Sequence, residues 1–248
     1  MQPSLVNERI AEVSPRFKAR MAGILYLIII LAAAFAEIFV RGRLIVSGDP
    51  AATATNVLAH EPLYRLGGAA DLVAFACDVG VALIFYELLK PVSGSVSLLA
   101  AFFRLMHVAI MGVNSLNHFA PLLLLSGAPS VAAFKADQLG ALALVFLRLH
   151  ALGYNVALVF FGFHCLLIGY LIFRSTFLPR ILGALIVIAG LCYLTNSFAN
   201  FLSPAFADML FPYILLPAAV AEWGLCLWLL VVGLNVPRWN EQMSGEWK

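Results

Sequence analysis

Charge is scarce in this sequence. Asp, Glu, Lys and Arg make up 11% of its 248 residues, whereas 63% are hydrophobic, and the mean hydropathy is +0.97. A soluble domain is about one quarter charged and about half apolar. A soluble core of this length cannot hide so much apolar surface; a bilayer can. An excess of one sign is lacking too. The net charge of +2 gives no electrostatic basis for binding nucleic acid or a strongly acidic partner. Cysteine is limited to Cys77, Cys165, Cys192 and Cys226, all inside apolar runs, where they act as small hydrophobes rather than a disulfide framework. Linear signatures such as HExxH or GxSxG are absent, as are internal repeats and low-complexity tracts. The opening residues are polar and of mixed charge. The apolar run behind them is full length without a small-residue cleavage site, so a cleaved signal peptide is not expected.

What the sequence does have is long apolar runs. A spanning helix needs about 20 apolar residues, and six stretches qualify: 21–40, 63–89, 96–125, 138–173, 181–202 and 211–234. The expected fold is all-α, a single six-span transmembrane domain over 21–234. It is flanked by a cytoplasmic segment at 1–20 and a cytoplasmic tail at 235–248. The fourth run is long enough to tilt strongly or protrude. After the first span, Asp49 is a good N-cap and Pro50 a good first helical residue, which predicts a short helix to His60 at the membrane surface. Lysines and arginines favour cytoplasmic termini. That side would hold Arg9, Arg16, Lys18, Arg20, Lys90, Arg174, Arg180, Arg238 and Lys248, against Arg41, Arg43, Arg65 and Lys135 outside.

Three stretches carry a resemblance: RMAG at 20–23, LIVSGDPAATA at 44–54, and ALVFFGFHCLLIGYLIFRS at 157–175 continuing to FLPRILG at 177–183. With them, nearly the whole chain resembles an uncharacterised family of bacterial multi-pass membrane proteins, domain-of-unknown-function family 4386. The resemblance implies a bacterial plasma-membrane protein and supplies no reaction, cofactor or catalytic residue.

The functional reading therefore rests on polar residues inside the spans, which are costly in lipid and turn toward protein or water. Counted along each helix, Asp71, Asn117, His118, Arg148 and Glu222 fall roughly 10–16 Å below the outer surface and His150 about 18 Å. Their common depth predicts an outward-facing polar chamber. Asp78, Arg104, His107 and His164 form a second set toward the cytoplasm. Arg148 and Asn155 share one face of the fourth span while His150 and His164 share the opposite one. A helix polar on two sides is expected at the centre of the bundle.

Three chemistries fit these residues. A small polar or amphipathic molecule could be bound or translocated, with Arg148 meeting an anionic group and Asp71 and Glu222 a cationic one. A di-haem arrangement would take His107 with His164 and His118 with His150 as axial pairs between antiparallel helices, with Gly112 and Gly162 giving room. An intramembrane hydrolase would use Asp71, His118, His150 and Glu222 for a metal or for acid/base work. Beside all three stands a structural explanation. Asp71 or Glu222 with Arg148, and Asp78 with Arg104, would be ion pairs that lock helices together, and the histidines hydrogen-bonded core residues.

Overall fold

The computed structural model describes residues 14–245. Arg9 and most of the N-terminal polar segment, and Lys248 at the end of the tail, lie outside them. Among the described residues all regular structure is helical. Six helices are long and apolar enough to cross a membrane: α1 (Pro15–Leu44), α3 (Glu61–Leu89), α4 (Gly94–Leu124), α5 (Ala136–Arg174), α6 (Arg180–Leu202) and α8 (Tyr213–Val231). Three shorter ones, α2 (Pro50–Ala59), α7 (Pro204–Leu210) and α9 (Val236–Ser244), lie between or after them.

The predicted surface helix is present as α2. Asp49 caps it, accepting from the Ala52 amide at 2.9 Å, and Pro50 occupies its first turn. α2 packs on the protruding start of α5, where Gly140 approaches the Pro50 carbonyl. The tail is more ordered than its polarity suggests. Asn235 caps α9, the Trp239 indole donates to the Leu88 carbonyl at 2.9 Å, and Gln242 accepts from Thr176.

Each spanning helix packs on its neighbours in sequence, and α8 returns to α1. The bundle is thus a closed ring of six. α5 is a member of this ring rather than its centre: its main partners are α4 and α6, with α2 resting on its end. It is nevertheless the most buried of the six spans, because both of those seams are close. The α5–α6 seam is built on glycine. Gly162 lies against Gly190 and Gly169 against Gly183, two pairs seven residues apart on antiparallel helices. A Cβ on Gly190 would sit 2.8 Å from the Gly162 carbonyl oxygen, and one on Gly183 would sit 2.7 Å from that of Gly169. Small residues let helix backbones meet, which is how spans associate where lipid removes the hydrophobic incentive. Gly162 therefore faces α6 rather than α4, while Gly112 is exposed with nothing near it.

Candidate functional site

The polar residues sort into two layers stacked along the ring axis. The deeper layer is centred on Arg104 of α4, only 1% exposed. Its guanidinium is held by Asp78 of α3, with the Nε–Oδ1 distance at 2.9 Å, and Nη1 lies 3.0 Å from His164 Nε2 on α5. The rings of Tyr26 and Phe161 lie 5.3 Å from its charge centre and that of Phe85 6.0 Å, so aromatic faces complete the enclosure. The expected Asp78–Arg104 pair is present, and His107 joins this level, its Nδ1 3.1 Å from the Ala157 carbonyl.

Glu222 belongs here rather than in the outer layer. Tyr193 of α6 donates to its Oε1 at 2.7 Å. Both residues lie about 14–20 Å from the ends of their helices on the face carrying the termini, at about 1.5 Å per residue. Glu222 is about 14 Å from either end of α8, so a count along the sequence does not assign it to a layer; its bond to Tyr193 and its nearness to Arg104 and Asp78 do.

The second layer lies toward the distal face, opposite the chain termini. Its charge centre was not expected: Asp71 of α3 is gripped by Arg41 of α1 (Nη1–Oδ2 2.6 Å, Nη2–Oδ1 3.4 Å), not by Arg148. Arg41 also donates to Glu37, four residues earlier, at 2.7 Å. A π-helical stretch, Phe35–Arg41, holds both residues. The wider turn shifts the phase of everything after it, and a 100° count along the sequence therefore misses Arg41.

Arg148 is exposed and makes no hydrogen bond or ion pair among the described residues. It lies about 39 Å along α5 from Arg174, beyond the reach of α6 (about 33 Å) and of a hydrocarbon core of about 30 Å. A count from the start of the apolar run includes the protruding turns of α5 and so sets Arg148 deeper than it lies. It is on an exposed face of α5, past the end of α6.

The remaining polar residues of this layer fasten helix to helix. His118 stacks on Tyr64 with ring centres 4.3 Å apart. The Tyr64 hydroxyl donates to the His118 carbonyl at 2.5 Å, and His118 Nε2 is 3.3 Å from the Tyr64 carbonyl. His150 is buried as expected. It faces α4, with Nδ1 3.2 Å from the Asn114 carbonyl, while the Asn114 amide donates back to the His150 carbonyl at 2.8 Å. Asn117 sits on the same seam, bonded to Asn114. His107, His118, His150 and His164 thus all lean on a backbone carbonyl of a neighbouring helix. This is the geometry of core histidines. Both nitrogens of His164 are engaged, which leaves an iron no axial position there. His118 and His150 come together, with ring centres 5.7 Å apart and the Arg41–Asp71 pair nearby, while Glu222 is in the deeper layer; among the described residues no group of three or more His, Cys, Asp or Glu is placed to hold a metal.

Between the two layers one position on α5 departs from the burial of its neighbours. On α5 the residues Leu158, Phe161, Cys165, Ile168 and Ile172 are buried and form the stripe facing the axis; Tyr154 continues that stripe by helical spacing, yet is 41% exposed. The lipid-facing stripe, with Val145, Leu152, Phe163 and Tyr170, is on the opposite side. The Tyr154 hydroxyl is within Coulombic range of Glu37, Arg41, Asp71 and Glu222, which come from three other helices. Ala33, on the face of α1 that carries buried Tyr26 seven residues earlier, is exposed as well. Glu222 is half-buried at the bottom. Asn196 bonds Asn155 across α5 and α6, but the Asn196 Oδ1 and the Ser197 hydroxyl are buried without a partner.

The family model described as Domain of unknown function (DUF4386) matches residues 21–233. An uncharacterised protein of Archaeoglobus fulgidus is 34% identical over 124 residues, which are 50% of this chain and 60% of the archaeal protein. The match thus spans less than two thirds of that relative, and its archaeal source places sequences of this kind outside bacteria too. No solved structure matches the chain.

Proposed function

Since the chain belongs to this family of unknown function, we propose that it binds or translocates a small polar or amphipathic molecule, admitted to the ring from the distal face. One observation carries this reading: Tyr154 points to the axis of a closed ring and is still 41% exposed. An interior packed like an ordinary core leaves no such surface. Glu37, Tyr154 and Glu222 mark a path from the distal mouth to mid-membrane, with the Arg104 layer as its floor.

The distal face would be the outer one in a plasma membrane. The basic residues support cytoplasmic termini more strongly once Arg41 is removed from the outer set, because its charge is spent inside the ring on Asp71. A hydrolase or di-haem protein draws no comparable support from the residue geometry.

The test is chemical access. In a background with the four native cysteines replaced, Tyr154→Cys in membranes should react with a small, membrane-impermeant thiol reagent added on the distal side. A cysteine at Leu158, one turn deeper and buried, should react far more slowly. If Tyr154→Cys is as inert as Leu158→Cys, the interior is closed and the reading falls.

A further inference from the structure

We infer that the molecule admitted to this interior is a cation, an ammonium group held by Glu222 between the rings of Tyr154 and Tyr193. This rests on the binding reading above and assigns the charge and chemistry of its ligand.

The inference starts from how the charges are matched. Arg148, the side chain that could have welcomed an anion, is outside the ring. Arg41 is shared between Asp71 and Glu37, so that group carries one more negative charge than positive. Arg104 is fully committed to Asp78 and its three aromatic neighbours. Glu222 is left with a hydrogen bond from Tyr193 and no cationic partner within ion-pair distance among the described residues. The charged groups in its range, Arg104 and Asp78, are already paired with each other. A carboxylate at mid-membrane with no counter-ion is costly, and a cation arriving through the open interior removes that cost.

One further feature fits the same ligand. Tyr193 packs on Phe161 at 5.5 Å and donates to the carboxylate, while Tyr154 lies above with its ring unoccupied by any cation in the structure. Aromatic rings beside a carboxylate are how alkylammonium groups are recognised.

The experiment places a cysteine at Ala33, exposed on the Tyr26 face of α1, and leaves both tyrosines intact. Reaction rates are measured with two methanethiosulfonates of similar size, one ending in trimethylammonium and one in sulfonate. Each is referred to its rate with a simple free thiol. The cationic reagent should be favoured by about ten-fold or more, the scale on which a one-sign cleft concentrates its counter-ion. Glu222→Gln should erase most of that preference and Glu222→Asp should keep it, which separates charge from misfolding. Choline should slow the reaction saturably, and its neutral carbon isostere dimethylbutanol should not. Reaction with both reagents at the free-thiol ratio, or a ratio unmoved by Glu222→Gln, overturns the cation assignment while the chamber stands. No reaction with either reagent, at Ala33→Cys and Tyr154→Cys alike, overturns both.

Discussion

Removing one partner from the Asp78–Arg104 pair should do more damage than removing both. Arg104 is 1% exposed and Asp78 4%, so neither charge can find water if its partner is lost. Asp78→Leu strands a guanidinium whose only other neighbours are His164 and three aromatic faces. Breaking a buried pair in this way costs about 3–5 kcal/mol, and the apolar replacement of both partners is often close to neutral. At about 2–4 °C per kcal/mol for a chain of this size, the single variant should melt roughly 6–20 °C below the parent. Asp78→Leu combined with Arg104→Met should recover most of that loss. The recovery should be incomplete, because the cation–π contacts with Tyr26 and Phe161 go with the charge and are worth up to about 2 kcal/mol when desolvated. The assay is thermal unfolding of purified protein in one detergent, followed by tryptophan fluorescence and by retention of the monodisperse peak. A double variant as unstable as the singles, or singles that melt with the parent, would refute the view that the pair acts as a desolvated lock.

Gly183→Val should separate α5 from α6, since even a Cβ there meets the Gly169 carbonyl oxygen at 2.7 Å and the Phe173 amide nitrogen at 2.5 Å. Loss of folded protein is expected, against little change for Gly112→Val, which has open space; equal expression and melting of the two would contradict the seam. Exchanging the distal pair as Arg41→Asp with Asp71→Arg should restore much of the stability lost by either change alone, measured as the coupling in a double-mutant cycle. Arg148→Ala should stay within about 0.5 kcal/mol of the parent, as for surface positions generally. A large loss there would return Arg148 to the interior.

The number of spans, the capped surface helix and the presence of polar residues inside the spans were legible in the sequence, because each depends on local chemistry. Apolar run length reports crossing, and Asp49-Pro50 reports a helix start. The Asp78–Arg104 pair was legible for the same reason, since both residues sit in regular α-helix where angles and depths can be counted. The sequence failed wherever that regular count broke. The π-helical stretch rotated Arg41 inward and gave Asp71 a partner that no periodicity indicated. The protrusion of α5 leaves Arg148 exposed beyond the end of α6, and Glu222, equally far from both ends of α8, is placed only by its contact with Tyr193.

Composition and helical spacing thus determined that this is an all-α bundle of six spans with costly polar groups to satisfy. Only the tertiary structure decided how they are satisfied. Closing six helices into a ring, rather than packing five around a central α5, creates an axis that no single helix occupies. Four histidines are then spent on backbone carbonyls of neighbouring helices, and Glu222 is left with Tyr193 as its partner and no cation within ion-pair distance among the described residues. Those outcomes depend on which seams close tightly, as at the α5–α6 glycines, and a choice among competing packings is not written in any one helix.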